Sequence, residues 1–203
     1  MKLLLATNNA HKAQEIREIL KDSFTEIVTM RDAGIVLDVE ENGLTFRENA
    51  LKKAIETLAY AGDSFDAVLA DDSGLCVDAL NGAPGVFSAR FSGEGHNDAA
   101  NNEKLIRLLH DVPDDRRTAR FCCCVALARR DREPIAVQGE VEGTILHEAR
   151  GENGFGYDPY FFYAPFGKSF AELSADEKNA VSHRKRALML LREVLDVEDR
   201  DHI

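Results

Sequence analysis

Residues 68–80, VLADDSGLCVDAL, hold two adjacent carboxylates, Asp71 and Asp72, between a short apolar run and a Ser-Gly pair. The run from Val68 to Ala70 predicts the end of a buried strand, because it is bounded by turn residues and not by polar residues at helical spacing. Side chains alternate across a sheet, so one acid should point to each face. Two interpretations fit this stretch alone: both acids cap a turn, or one works in a cleft while the other is structural.

The chain around this stretch alternates between strand and helix patterns. KLLLA, EIVTM, TARFCCCVALAR and PIAVQGEVEGTIL are predicted strands, the last two as neighbours in a sheet. Apolar residues at helical spacing predict a helix after the first strand, one through residues 105–109 and a last helix with residues 187–195 on one face. Thr45 and Glu48 form a capping-box pattern that opens a helix of about four turns, closed by Gly62.

Length and composition bound the fold and the partners. The chain has 203 residues, 44% of them hydrophobic, which suffices for a core in one domain or in two lobes. No repeat or linker divides it, so we predict a single domain over residues 1–203, of the α/β class, with a mixed central sheet and helices packed around it. The net charge of −11 argues against nucleic acid or an anionic membrane as a partner, because the mean field repels both.

The N-terminus and the cysteines both favour a cytoplasmic location. The apolar run in MKLLLATNN is too short for a signal peptide, and no segment approaches the ~20 consecutive apolar residues of a spanning helix. Cys122, Cys123 and Cys124 are consecutive, so they lack the spacing of a tetrahedral zinc site. We interpret them as small buried hydrophobic residues in a reducing compartment, with a redox role as the alternative.

The first strand leads into ATNNAHKAQEI, residues 6–16. A strand, a turn of small polar residues and a helix N-terminus together favour an anion site, because free backbone N–H groups and the helix dipole both attract phosphate. Lys12 adds a positive charge on the first turn. The loop lacks glycine, so it is not a Walker A sequence. The alternative is that Asn9 is an ordinary N-cap and Lys12 is solvated.

Charged residues flank the start of the second predicted helix. DVEENGLTF places Glu40 and Glu41 beside a glycine turn, and Mg²⁺ commonly takes one or two carboxylates from such loops. Lys52 and Lys53 follow on the helix, where one of two neighbouring lysines usually faces water. The alternative for each of these residues is a solvated surface charge.

GENGFGYDPYFF, residues 151–162, is a more specific signal. Gly154 and Gly156 bracket Phe155, which lets the backbone approach a ligand closely and presents an aromatic ring from a loop. Such a ring suits stacking on a planar base. The alternative is a glycine-rich turn with a half-buried phenylalanine.

SADEKNAVSHRKRALMLL brings three basic side chains together near the C-terminus. On one continuous helix Lys178 and His183 would point well apart, so we predict a break near Ser182, which would cap a new helix. His183 and Arg184 would then be hydrogen-bond donors at a helix N-terminus. The alternative is a solvated basic face.

Together and in this order, these motifs resemble the inosine triphosphate pyrophosphatases, which hydrolyse non-standard purine nucleoside triphosphates to monophosphate and pyrophosphate. The resemblance covers nearly the whole chain, from LLATNNAHKAQEI through EENGLTFRENALKKA to EKNAVSHRKRAL. Its most specific parts are ADDSGL, GAPGVFSAR, GFGYDP and SHR. Asn8 departs from the pattern, because many members of the family carry glycine there.

The resemblance implies a fold, an assembly and a set of site residues. The fold is an α/β domain with two lobes flanking a long substrate cleft, commonly as a homodimer. Asp72 would be the catalytic acid and a magnesium ligand, with Glu40 as the other metal carboxylate. The implied substrate contacts are Thr7, Asn8, Asn9, Ala10, His11, Lys12 and Lys53 for the triphosphate, and Ser73, Phe155, Gly156, Tyr157, Asp158, Lys178, His183 and Arg184 for the rest of the nucleotide.

The predicted reaction is in-line attack of water on the α-phosphorus of ITP, dITP or XTP, with pyrophosphate leaving. Mg²⁺ and lysines would neutralise the triphosphate, and Asp72 would orient or deprotonate the water. Two alternatives differ in class. A septum-inhibitor-type pyrophosphatase would act on modified pyrimidine nucleotides, and GFGYDP with SHR argues against it. A nucleotide sensor without turnover would be expected to lose an acid such as Asp72 or Glu40, and both are present.

The base preference follows from the predicted donors. Hypoxanthine and xanthine present an acceptor oxygen at the six position, whereas adenine presents a donor amino group there. If His183 and Arg184 lie at a helix start beside Phe155, the pocket offers only donors to that position. We therefore expect ITP to be preferred over ATP, and rejection of GTP must come from its 2-amino group.

Overall fold

The computed structural model describes residues 1–93, 95 and 97–200, without the side chains of His11, Asp199 and Arg200. The strands are β1 (Lys2–Leu5), β2 (Glu26–Thr29), β3 (Ala67–Val77), β4 (Thr118–Arg129), β5 (Arg132–Ile145), β6 (Phe161–Tyr163) and β7 (Lys168–Ser169). The α-helices are α1 (Ala10–Leu20), α2 (Phe46–Ala61), α3 (Asp98–Leu108), α4 (Ala175–Val181) and α5 (His183–Arg200).

The strands form one sheet in the order β2-β1-β3-β4-β5-β6-β7. Strand β1 runs parallel to both β2 and β3, with Leu4 opposite Val28 on one side and Val68 on the other. The pairs β5–β6 and β6–β7 are antiparallel. The parallel strands are joined through α1 and α2, as crossover connections require. The predicted α/β class with a mixed sheet is confirmed.

The chain divides into two compact units. Unit 1 comprises Met1–Asp72, Cys123–Gly139 and Arg184–Ile203, and unit 2 comprises Ser73–Cys122 and Glu140–His183. Strands β3, β4 and β5 each contribute residues to both units. The single domain expected from the sequence stays a prediction.

The core of unit 1 joins the apolar faces of α1 and α5 to strand residues. Ile16 and Leu20 of α1 and Ala187 and Leu191 of α5 are buried in the same cluster, which also contains Cys123 of β4. Burial of these positions confirms the helical spacing predicted for both helices. This shared core holds α1 and α5, and with them Lys12 and Arg184 in their first turns.

The core of unit 2 is rich in aromatic side chains. Phe121, Phe161 and Phe170 are buried in one cluster, and the rings of Phe121 and Phe161 lie 4.6 Å apart between centroids. Tyr157 belongs to the same cluster. A core residue at this position anchors the chain immediately after the glycine-rich loop.

Helix α2 begins with the predicted capping box. Thr45 Oγ1 accepts from the backbone N–H of Glu48 at 3.1 Å, and Glu48 Oε2 accepts from the N–H of Thr45 at 3.2 Å. The helix ends at Ala61 and is followed by the predicted Gly62, the C-cap, whose φ is +57°. This N-terminal cap fixes the first two turns of α2, where Asn49 and Lys53 lie.

Two further sequence expectations concern the membrane and the thiols. None of the helices among the described residues is long and apolar enough to cross a membrane. All four cysteines are free thiols, and Cys122, Cys123 and Cys124 are buried in β4. Their interpretation as small buried residues is confirmed.

Candidate active site

The two aspartates lie within β3 and not after its end. The strand continues from Ala67 through Asp71 and Asp72 to Val77, so the predicted stop after Ala70 was wrong. Both acids are buried, at 1% and 7% exposure. They nevertheless have different partners, as expected for side chains that alternate along a strand.

Asp71 is held between two cations of unit 1. Its Oδ2 lies 2.9 Å from Lys12 Nζ and 3.3 Å from Arg184 Nε. Burial alone would raise the pKa of Asp71, but Lys12 and Arg184 outweigh it and hold the pKa well below the ordinary value. Asp71 is therefore a structural acid that is ionised at neutral pH. One interpretation of the sequence expected a solvated Lys12, but this side chain forms an ion pair with Asp71.

Asp72 has the opposite electrostatic setting. Its Oδ2 accepts a hydrogen bond from Asn49 Nδ2 at 2.9 Å. Burial raises the pKa of Asp72 to about 6, and the negative charge of Glu41 adds to the rise, against the hydrogen bond from Asn49. A carboxyl group with a pKa near the working pH is suited to exchange protons or to receive a cation.

Glu41 contacts Lys53 and acts electrostatically on Asp72, whereas the role of Glu40 as a metal ligand stays a prediction. Glu41 Oε1 forms an ion pair with Lys53 Nζ, and its charge acts on Asp72. Glu40 is exposed, and its Oε2 accepts from Asn42 Nδ2 at 3.4 Å. The spacing of two adjacent acids in a loop does not show which one faces the helix, so the sequence could not separate them.

Lys53 is the inward-facing member of the lysine pair on α2. Burial alone would lower the pKa of Lys53, but the charge of Glu41 and the hydrogen bond with it raise the pKa above its ordinary value. Lys52 instead donates to the backbone oxygen of Glu40 at 2.8 Å and to Asn42 Oδ1 at 3.0 Å. Lys53 therefore brings a fixed positive charge to the acids, while Lys52 stabilises the loop.

The loop before α1 ends in an N-cap. Asn9 Oδ1 accepts from the backbone N–H of Lys12 at 3.2 Å, and the N–H of Asn9 donates to Thr7 Oγ1 at 3.1 Å. Asn9 is therefore the N-cap that one interpretation of the sequence expected. Its backbone and that of Asn8 lie in an exposed segment at the positive end of the helix dipole, so the predicted anion-binding role stays a prediction.

In unit 2, the glycine-rich loop presents Phe155 beside a lysine. The ring is 37% exposed, and Lys178 Nζ lies 4.4 Å from its centroid. Asp158 Oδ2 accepts both from Lys178 Nζ at 2.5 Å and from the backbone N–H of Phe155 at 2.9 Å. Asp158 thus holds the loop and the lysine together. The ammonium group of Lys178 lies over the ring of Phe155.

Helix α3 supports this loop, a contact that was not predicted from the sequence. The backbone N–H of Gly156 donates to Asp98 Oδ2 at 2.8 Å, and its carbonyl oxygen accepts from Asn102 Nδ2 at 2.8 Å. Asp98 and Asn102 are four residues apart on α3 and so share one face. A pair of polar residues at this spacing was the available signal, but the sequence does not show that the loop lies against it.

Several predicted substrate contacts have less specific surroundings. Asn8 and Ala10 are exposed, Ser73 is half-buried, and the side chain of His11 lies outside the described residues. Tyr157 is 5% exposed in the core of unit 2 and its hydroxyl donates to a backbone oxygen at 2.8 Å, so its role as a substrate contact stays a prediction. The ring of Tyr157 therefore supports the loop from inside.

The predicted helix break occurs at Ser182. This residue is extended, with φ −63° and ψ 149°, between the end of α4 and the start of α5 at His183. His183 is buried and its ring stacks on Phe121 of unit 2, with centroids 5.1 Å apart and an interplanar angle of 15°. The ring is thus fixed in orientation by the aromatic core, which excludes the solvated interpretation.

Arg184 is buried in unit 1 at 2% exposure. Besides Asp71, it pairs with Glu15 of α1, which the sequence analysis did not consider. Burial alone would lower the pKa of Arg184, but Asp71 and other neighbours raise it. Two of its nitrogen atoms therefore hold carboxylates, a structural role that the sequence did not predict. Its role as a base contact stays a prediction.

Metal binding depends on few side chains. Among the described residues, no group of three or more His, Cys, Asp or Glu side chains is arranged to hold an ion. Mg²⁺ usually takes only one or two carboxylates, with water and phosphate oxygens completing its octahedron. Asp72 and Glu41 are two hard oxygen donors, and the negative charge of Glu41 raises the pKa of Asp72.

The chain is similar to known proteins over nearly its whole length. A family model described as "Ham1 family" matches residues 3–194. A dITP/XTP pyrophosphatase of Clostridium perfringens is 52% identical over 197 residues, covering 96% of this chain and 97% of the relative. Another dITP/XTP pyrophosphatase, of Desulforamulus reducens, is 48% identical over 196 residues, covering 97% of this chain and 96% of the relative.

A solved structure shows the same likeness in three dimensions. The Ham1 protein of Staphylococcus aureus superimposes with a TM-score of 0.88 at 38% sequence identity, covering 98% of this chain and 100% of that one. The resemblance stated from the sequence motifs is therefore confirmed over nearly the full length.

Proposed function

Because the chain belongs to the Ham1 family, we propose that it hydrolyses non-standard purine nucleoside triphosphates such as ITP, dITP and XTP to the monophosphate and pyrophosphate. The names of its relatives support this substrate class. One observation on this chain carries the proposal: a buried carboxyl group, Asp72, has a pKa of about 6 and senses the charges of Glu41, Lys12 and Lys53. Such a cluster is suited to a polyanion that must be bound and then cleaved.

In this proposal, unit 1 binds the triphosphate. Lys12 and Lys53 supply fixed positive charges, each already anchored by a carboxylate. The segment from Thr7 to Ala10, exposed from Asn8 onward, supplies backbone N–H groups at the N-terminus of α1, where a phosphate is favoured. Because Asp71 holds Lys12 in place, little ordering of that side chain is needed when the substrate arrives.

We propose Mg²⁺ as the cofactor, with Asp72 and Glu41 as its carboxylate ligands. The two acids fit the ion, because the charge of Glu41 raises the pKa of Asp72 and a divalent cation would relieve that repulsion. When bound, Mg²⁺ supplies neutralisation of the triphosphate charge. Glu40, the ligand expected from the sequence, serves in this proposal to shape the loop through its backbone contact with Lys52.

The chain's own residues supply the proton transfer. A water oxygen forms a bond to the α-phosphorus while the bond to the bridging oxygen of pyrophosphate breaks. Asp72 accepts the proton from the attacking water, and a pKa of about 6 leaves it mostly ionised at neutral pH yet basic enough for this step. Asn49 orients the carboxylate through its 2.9 Å hydrogen bond, and Lys12 and Lys53 stabilise charge on the leaving group.

In this proposal, the loop around Phe155 receives the base. The exposed ring of Phe155 stacks on the purine, and Lys178 beside it donates to the oxygen at the six position. Adenine would place a donor against this ammonium group, so a site built on the contact discriminates against ATP, by up to about 10⁴ in kcat/KM. His183 and Arg184 stay predicted contacts of the base.

A nucleotide panel tests the proposed function. The protein is incubated with Mg²⁺ and ITP, dITP, XTP, GTP or ATP, and pyrophosphate is separated from phosphate as product. We expect pyrophosphate from the first three and far less from ATP, with GTP between them or near ATP. Release of single phosphates would indicate a phosphatase, and no release from any triphosphate would indicate a sensor. Equal kcat/KM for ITP and ATP would reject the assigned base preference.

Assembly and location complete the proposal. We propose a homodimer in the cytoplasm, supported by the resemblance of the motifs to a commonly dimeric family and by free buried thiols. Size-exclusion chromatography with light scattering distinguishes a dimer of a 22.5 kDa chain from a monomer.

A further inference from the structure

Both backbone polar groups of Gly156 are held by one face of α3. The N–H donates to Asp98 Oδ2 at 2.8 Å, and the carbonyl oxygen accepts from Asn102 Nδ2 at 2.8 Å. Gly156 has φ +62° and Gly154 has φ +77°. Because glycine has no Cβ, both residues could also adopt many other backbone conformations. The contacts from α3 select one of those alternatives.

The selected loop conformation decides where Phe155 lies. Phe155 is bonded between the two glycines, and its own N–H is held by Asp158 at 2.9 Å. A Cβ on Gly154 would lie 2.1 Å from Asp158 Oδ2, so the loop wraps closely around that carboxylate. Asp158 fixes the N-terminal side of Phe155, and α3 fixes the C-terminal side. The backbone on both sides of the exposed ring is thus held by hydrogen bonds.

We propose that Asp98 and Asn102 are positioning residues that set the ring of Phe155 for stacking on a purine base. The inference rests on the proposed function, because it assigns these residues to the base end of the substrate. They touch no reacting atom and act through Gly156. They hold the loop in one conformation before the substrate arrives. The entropy cost of ordering the loop on binding is therefore smaller.

The burial of Asn102 separates this role from a general stabilising role. Its side chain is 8% exposed, and its Oδ1 has no hydrogen-bond partner within the described part of the chain. A buried acceptor without a partner destabilises the fold, so a leucine of similar size removes that cost together with the contact to Gly156. Asn102→Leu should therefore impair the loop without lowering the free energy of unfolding.

Steady-state kinetics test the proposal with matched variants. In Asn102→Leu and Asp98→Ala we expect KM for ITP to rise about tenfold, with kcat changed less than about twofold, because uniform binding is lost. Asp98→Asn keeps an acceptor oxygen and should show a smaller rise. Glu103→Gln, an exposed acid on the same helix, is the control and should match wild type. The inhibition constant of pyrophosphate, which carries no base, should stay unchanged in all variants.

Amide hydrogen exchange provides a readout that needs no turnover. The amides of Phe155 and Gly156 should exchange faster in Asn102→Leu and Asp98→Ala than in wild type or Glu103→Gln, with no change in the core of unit 2. Unchanged exchange or an unchanged KM would overturn the inference, as would pyrophosphate affinity falling in parallel with ITP affinity. A wild-type protein that releases no pyrophosphate overturns the proposed function, and loop exchange still decides whether α3 holds the loop.

Discussion

Asp71 and Asp72 are adjacent on β3, yet their surroundings give them opposite properties. Asp71 faces Lys12 and Arg184, and these cations hold its pKa well below the ordinary value. Asp72 faces Asn49 and the field of Glu41, and burial raises its pKa to about 6. Alternation along a strand sends neighbouring side chains into different surroundings, so one dipeptide provides a structural anion and a titratable acid.

The two aspartates also differ in the charge of the groups that contact them. Lys12, Lys53 and Arg184 each pair with a carboxylate, which fixes their positions. Asp72 accepts from a neutral amide instead. An acid bound to a fixed cation would be a weak base, whereas one bound to an amide keeps its affinity for a proton or a metal.

The largest effect is expected from Asp72→Asn. We predict that kcat for ITP falls by about a thousandfold or more, while substrate binding stays within about tenfold, because the amide keeps the shape but cannot accept the proton. The free energy of unfolding should not fall, since a neutral group replaces a buried charge. Asp63→Asn, an exposed acid before β3, is the control. Near-normal turnover in Asp72→Asn would remove Asp72 from the mechanism.

Asp71→Asn should instead act on stability. It leaves Lys12 and the buried Arg184 without their shared carboxylate, and loss of one partner from a buried ion pair costs about 3 kcal/mol. Urea denaturation measures the change in the free energy of unfolding. Asp32→Asn, which breaks the exposed pair with Arg17, is the control and should have little effect. Equal stability of Asp71→Asn and wild type would contradict the structural role.

The choice between adjacent glutamates is tested by Glu41→Gln and Glu40→Gln. We expect Glu41→Gln to reduce kcat/KM by about 30-fold and to weaken Mg²⁺ activation, because the proposed metal ligand and the partner of Lys53 are lost. Glu40→Gln should change kcat/KM less than about twofold, since its exposed carboxylate makes one long contact in the loop. The reverse order of the two variants would restore Glu40 as the ligand.

The smallest effect is a difference in titration. Carbon-13 NMR of the metal-free protein should show Asp72 titrating near pH 6, while Asp71 stays ionised below its ordinary pKa of 3.8. With its folded pKa raised, Asp72 contributes stability below about pH 4 that is lost as the pH rises through 6. Asp71, with its pKa depressed, contributes stability above about pH 4 that is lost as the pH falls through the folded value.

The same NMR titration in the presence of Mg²⁺ tests the proposed metal site. The ion binds the ionised carboxylate, so it should lower the apparent pKa of Asp72, and Mg²⁺ affinity should increase as the pH rises through about 6. The titration of Asp71 should not move. Equal shifts of the two aspartates on addition of Mg²⁺ would show that the ion does not distinguish them.

The sequence by itself determined most of the elements, because their signals are local. The capping box of Thr45 and Glu48, the apolar face of α5 and the break at Ser182 all depend on residues within one or two helical turns. The short strands β6 and β7 were not predicted, and in β3 the residues Ser73 and Gly74 resemble a turn but continue the strand. Pairing within a sheet can override such local preferences, and the pairing partners lie far away in the chain.

The sequence also determined the family and the types of residue in the site, since these are carried by short motifs. Only the tertiary structure decided that Glu41 faces Lys53, that α3 holds Gly156 and that Arg184 pairs with Asp71 across 113 positions. The opposite pKa shifts of Asp71 and Asp72 depend on burial and on charges brought together by folding. A local pattern contains neither quantity, because both are set by side chains from distant segments.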